Sequence, residues 1–117
     1  MSGIPSGSGT EVLKRHSVHA NSDAWVTLIT GVANHIYTVI SVVACDLGNA
    51  VEELSMRVDI SAAGSNQIFL LNSQPLPAKG TFTFSDKIVL TGTDKLEIWN
   101  SAGNVDWYVT YIDQDWS

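Results

Sequence analysis

The stretch Asp86-Lys-Ile-Val-Leu-Thr-Gly-Thr-Asp-Lys-Leu-Glu-Ile-Trp-Asn-Ser-Ala-Gly-Asn-Val-Asp-Trp-Tyr-Val-Thr-Tyr-Ile112 decides the fold. It contains three short runs rich in β-branched and aromatic residues, separated by Gly92-Thr-Asp94 and Ser101-Ala-Gly-Asn104. Gly and Asn reach positive φ at little steric cost and Asp hydrogen-bonds its own turn, so both breaks read as turns. Three strands in sequence joined by short turns predict an antiparallel meander. Within it Leu96 and Ile98 alternate with Lys95, Glu97 and Trp99, which places Trp99 on the outer face. In the last run Val105, Trp107, Val109 and Tyr111 share one face, and Tyr108 and Ile112 share the other.

The same reading extends back along the chain. Glu11 to His19 is a mixed segment with Val12 and Val18 as its main β-formers, and Ala24-Trp-Val-Thr-Leu-Ile-Thr30 is a stronger strand candidate with Trp25 in the core or at its rim. His35 to Cys45 carries apolar side chains on both alternating faces, Ile36, Ile40 and Val42 against Tyr37, Val39 and Val43, so both sides of this strand should be covered. Leu54, Met56, Val58 and Ile60 alternate with polar residues as a half-buried strand, and Gln67 to Asn72 reads as a short buried one. Pro75 and Pro77 then set a rigid connection up to Gly80, because proline cannot donate to a ladder. Thr81-Phe-Thr-Phe84 puts Phe82 and Phe84 on one face.

About eight strands, no helix, and turns at the spacing of a sandwich or barrel predict an all-β, antiparallel β-sandwich of jelly-roll type. At 117 residues this is one domain, spanning 11–117. Met1 to Thr10, Gly- and Ser-rich with Ile4 as its apolar side chain besides Met1 and Pro5, reads either as an arm that orders against a neighbouring subunit or as simple terminal disorder.

Charge narrows the function classes. Only 15% of residues are charged, against a typical quarter, so Ser, Thr, Asn and Gln must supply the polar surface. The net charge of −6 argues against a nucleic-acid binder, since phosphate neutralisation needs clustered Lys and Arg and only Lys14-Arg15 are adjacent. The N-terminus lacks the basic and apolar regions of a signal peptide, so synthesis in the cytoplasm is expected, and no apolar run is long enough to span a bilayer. Cys45, the single cysteine, is expected to be a buried inert thiol rather than a reactive or intermolecular one.

Catalytic and metal-binding constellations are not evident. His16 and His19 fall on opposite faces of a strand, and His35 beside a turn reads as a strand-end hydrogen-bonding residue. The carboxylates sit at turns and strand ends, where capping or solubility accounts for them, although calcium binding by turn Asp and Asn residues stays open. With no nucleophile elbow and no phosphate loop, no enzyme activity and no cofactor are expected. Outward aromatics on a closed β-domain point instead to protein contact or to stacking on sugar rings.

The series Tyr37-Thr-Val39, Leu70-Leu71 followed by Pro75-Leu-Pro-Ala78, Lys87-Ile-Val-Leu90, Thr93-Asp-Lys-Leu96 and Val105-Asp-Trp107 resembles small β-sandwich virion proteins of tailed bacteriophages, over residues 24–112. Gly92-Thr-Asp94 departs from the contiguous Gly-Asp of that pattern and lengthens the turn. The resemblance implies a capsid decoration, or cement, protein on the outer surface of the virion. It would assemble as a homo-oligomer, dimer or trimer, over the major capsid protein, with no nucleic acid or membrane as partner. Trp99, Tyr108 and Trp116 are then the expected contact residues, with Ile4 in the arm. The alternative is a tail or fibre module that binds carbohydrate or a host receptor.

Overall fold

Val105, Trp107 and Val109 are all buried, and the strand that carries them is paired on both sides. The computed structural model describes residues 10–20, 24–101 and 104–116. In it the strands are β1 (Thr10–Ala20), β2 (Val26–Thr30), β3 (His35–Asp46), β4 (Glu52–Asp59), β5 (Gln67–Leu76), β6 (Thr81–Phe84), β7 (Ile88–Thr91), β8 (Lys95–Asn100) and β9 (Val105–Asp115), with one 3-10 turn at Ile60–Ala62. One sheet has the order β1-β9-β3-β6, with β7 following β6 along the same side of β3, and the other has the order β2-β8-β4-β5. All pairings are antiparallel.

The order follows from one long hairpin rolled up. The outgoing strands β1 to β4 meet the returning strands as β4 with β5, β3 with β6 and β7, β2 with β8, and β1 with β9. Rolling that ribbon brings β9 onto β3 and β8 onto β4, which closes the two sheets of a jelly roll. The expected sandwich is therefore present, with nine strands, of which the short β6 and β7 share one side of β3.

The expected meander is not. β7 and β9 lie in one sheet and β8 in the other, so each turn of the opening stretch carries the chain across the core rather than to the neighbouring strand. Turn chemistry specifies that the chain reverses; it does not specify which sheet receives the next strand. A crossing of this kind must hold two sheets together at its corner, and Asp94 does so. Its buried carboxylate accepts hydrogen bonds from the N–H of Ser61 at 2.8 Å and of Thr91 at 3.1 Å, while its carbonyl accepts from the N–H of Gly31 at 2.9 Å.

Further expectations change. In β3 the register against β9 shifts between Val39 and Ser41. This bulge reverses the side-chain parity, so Tyr37, Val39, Val42 and Ala44 face the core while Ile36, Val43 and Cys45 face outward. Cys45 is thus a half-buried thiol on the outer face rather than a core residue. The strand expected to end at Asn72 runs on through Pro75 to Leu76, because β5 is a sheet edge and its free side needs no N–H at that position. Ile60 leaves β4 for the 3-10 turn.

The core is filled from both sheets by Leu54, Met56, Leu96 and Ile98 on one side and Val39, Val42, Leu90 and Trp107 on the other. Buried Trp107 donates its indole N–H to Oδ1 of buried Asn100 at 3.3 Å, a hydrogen bond from β9 to β8 that spans the two sheets. Thr10, expected in the arm, begins β1. Met1 to Gly9, including Ile4, lie outside the described residues, as do Asn21 to Asp23 and Ala102-Gly103.

Candidate interaction surfaces

Residues directly opposite each other in antiparallel strands point to the same face, so the registers define the two outer surfaces. On the five-stranded sheet, Leu13 lies beside Ile112, which lies beside Thr38, which lies beside Val89. Two rows along, beyond Arg15, Thr110 and Ser41, Ser17 lies beside Tyr108, which lies beside Val43, which lies beside Thr83. Leu13, Val89 and Tyr108 are 68%, 59% and 40% exposed. Among the described residues the formal charges on this face lie at its margins, as Glu11 and Arg15 on β1, Asp106 at one end, where it is bonded to His19 Nδ1, and exposed Lys87 just before β7. The centre is a field of apolar and hydroxyl side chains, in which Leu13, Val89 and Tyr108 are the large exposed apolar groups.

The outer surface of the four-stranded sheet is built differently. Arg57, opposite Glu97 on β8 and Phe69 on β5, bonds Glu97 Oε1 at 2.7 Å and places its guanidinium 3.7 Å from the Trp25 ring centroid. Trp25 meets Phe69 edge-on at 5.7 Å and lies 6.5 Å from Trp99. Trp99 is on the outer side, as its alternation requires, but it is half-buried in this aromatic cluster. The arginine occupies a face of Trp25 that a sugar ring would need, through a cation–π contact.

A third group closes one end of the sandwich. The buried Asp113 carboxylate accepts a hydrogen bond from Lys14 Nζ at 2.8 Å and one from His35 Nδ1 at 2.7 Å, and His35 Nε2 lies 3.4 Å from Asp115. His35 stacks on Tyr37 with ring centroids 5.7 Å apart, and the Tyr37 hydroxyl accepts from the Val32 N–H at 3.0 Å. His35 is therefore the strand-end hydrogen-bonding residue expected of it. Trp116 donates its backbone N–H to the Asn34 carbonyl at 2.9 Å at this same end, and its buried indole N–H finds no acceptor among the described residues. Among the described residues no three His, Cys, Asp or Glu side chains converge as a metal site.

Burial pushes the Asp113 pKa up, but the hydrogen bonds from Lys14 and His35 outweigh it and hold the carboxyl below its ordinary value of 3.8. The bond to Asp113 in turn raises Lys14 above its ordinary 10.5, against a smaller effect of burial. The Asp113 contribution is present above its unfolded pKa and is lost as pH falls through the lower folded value. That of Lys14 is complete below its unfolded pKa and is lost only as pH rises through the raised one. Both hold at neutral pH. Asp113→Asn is expected to cost about 1–2 kcal/mol at pH 7, with the half-exposed Lys14 limiting the loss. Urea unfolding at pH 7 and at pH 3 checks this: the variant should lose less stability on acidification than the parent, and an equal loss in both would show that Asp113 does not carry the acid sensitivity.

The residues singled out from the sequence do not form one site. Tyr108 is on the five-stranded face, Trp99 on the opposite side of the sandwich, and Trp116 at an end. Leu13, Val43 and Val89 were missed. The pair Val12-Leu13 carried the signal for Leu13, since adjacent apolar residues in a strand cannot both face inward; Val43 was hidden by the β3 bulge.

No family model and no curated protein matches the chain. The fold is nevertheless similar to solved structures. A subunit of the disulfide-linked pili that form Bacillus endospore appendages aligns with a TM-score of 0.57 at 12% identity, covering 100% of this chain and 98% of that one. A chain of the infectious bursal disease virus particle aligns with a TM-score of 0.56 at 10% identity over 90% of this chain. A second structure, of particles derived from that virus, gives 0.57 at 12% identity over 93%. The chain spans about a third of the length of the viral chains, 31% and 32%. At these identities the likeness is one of fold.

Proposed function

We propose that this chain is a non-enzymatic structural protein that docks on an assembled shell, as a decoration protein on the capsid of a tailed bacteriophage. The observation that carries the reading is the centrally uncharged outer face of the five-stranded sheet, with Leu13, Val89 and Tyr108 exposed on it. The fold shared with subunits of a virus particle and of a pilus supports an assembled setting, and the resemblance to phage virion proteins supports the capsid. Many copies, each burying a modest apolar patch on the major capsid protein, would stabilise the shell by mass action and multivalency. The contact then centres on Tyr108 and its neighbours, and Trp99 belongs to a second surface. The chain would work as a dimer or trimer at the virion surface.

Electron microscopy and quantitative protein analysis of purified virions test the reading. Many copies over the shell are expected, and Val89→Asp or Tyr108→Asp should lower occupancy at least ~10-fold without changing the thermal unfolding of the free protein. A few copies confined to the tail would remove the decoration role. The carbohydrate-binding alternative has the Trp25, Trp99 and Phe69 cluster in its favour; glycan binding by the isolated chain that Trp99→Ala abolishes would establish it.

A further inference from the structure

Three of the four sheet edges are blunted against pairing with another chain. β5 carries Pro75, a positive φ at Ser73 and two register breaks. β2 is five residues long with its own register break, and the edge beside β3 is divided between β6 and β7, four residues each. β1 has none of these devices: its eleven residues contain no Pro or Gly and hold one unbroken register with β9. Its residues from Thr10 to Ser17 are exposed on both faces. Long, regular and unpaired on its outer side among the described residues, this is the edge that templates strand addition.

We infer that β1 pairs with β1 of a second copy, antiparallel about a two-fold axis through Leu13. An axis normal to the sheet keeps outer faces together, so odd-numbered residues must oppose odd-numbered ones and the centre must fall on a residue. Centring on Leu13 sets Glu11 opposite Arg15 of the second copy on both sides of the axis and Leu13 against its own counterpart, all on the outer face. Centring on Lys14 or Arg15 instead opposes like charges, which antiparallel neighbours disfavour. Glu11 and Arg15 have no ion pair among the described residues, whereas Lys14 is engaged by Asp113. Val12, exposed on the inward side, is covered by Lys14 of the second copy. The pairing also joins the two apolar outer fields through Leu13 and Ile112 into one continuous surface. It is read from the edge of the chain itself and stands whether or not the shell is a phage capsid.

Sedimentation of the full chain over a concentration series tests the association, and two sets of variants test the register. Glu11→Arg and Arg15→Glu should each weaken the dimer about 10-fold, and the two together should restore it. In a Cys45→Ser background, Leu13→Cys should give a disulfide-linked dimer on mild oxidation and Arg15→Cys should not, because only the residue on the axis meets itself. Circular dichroism of each variant confirms that the fold is kept. A parent chain that stays monomeric up to ~1 mM overturns the inference. So does a dimer that the double charge exchange fails to restore, or one that Leu13→Cys fails to link.

Discussion

Replacing Trp107 with alanine is expected to remove about 3–5 kcal/mol of stability, the range for truncating a fully buried aromatic residue. Trp107 is 1% exposed, lies among Val105, Val109 and the opposing sheet, and is the largest of the fully buried side chains. Its loss leaves a void between the sheets and takes away the donor that satisfies Asn100 Oδ1 at 3.3 Å. For a domain whose total stability is about 5–15 kcal/mol, that is a large fraction, and the melting temperature should fall by about 10–20 °C. Trp107→Phe separates the two effects. It keeps most of the apolar volume and loses the N–H, so it should cost about 1–3 kcal/mol. Chemical denaturation of the three proteins checks both numbers; a loss below about 1 kcal/mol for the alanine variant would mean that the sheets re-close over the void.

Gly31→Ala is expected to cost about 3 kcal/mol or more, although it adds only a methyl group. A Cβ at this buried position would stand 2.2 Å from the Gly92 carbonyl oxygen and 2.3 Å from that of Asp94. Both obstacles are backbone, so no side chain can swing aside. The β2–β3 link would have to withdraw from the β7–β8 turn, breaking the 2.9 Å bond from the Gly31 N–H to the Asp94 carbonyl and disturbing the corner that Asp94 holds. Gly92→Ala is the comparison. There the added Cβ has open space, and the penalty is the left-handed φ of +58°, worth about 1–2 kcal/mol. Thermal unfolding should therefore rank Gly31→Ala well below Gly92→Ala, and the reverse order would contradict the close-approach account.

These two positions differ in how far the sequence exposes them. Trp107 lies in a clean alternation with Val105 and Val109, and a period of two is sufficient to place it inside. Gly31 reads only as a break between runs; its importance comes from Gly92 and Asp94, some sixty residues away in the chain. Among the contact candidates, the outward positions of Trp99 and Tyr108 follow from alternation in the same way. That they lie on opposite sides of the sandwich does not, because it depends on β8 and β9 entering different sheets.

The opening stretch, Asp86 to Ile112, marks the division between the two kinds of information. Local chemistry determined the strands, the turn at Gly92, and which of Leu96, Ile98 and Trp99 turn inward. Each of these depends on a few neighbouring residues and their backbone preferences. The tertiary structure alone decided that the three runs do not pair with one another, that a bulge at Ile40-Ser41 exchanges the faces of β3, and that Pro75 is tolerated at an edge. It also left β1 as the long unblunted edge. Each of those outcomes depends on which strand lies alongside, and pairing between distant segments is selected by the burial of the whole core rather than by any local run.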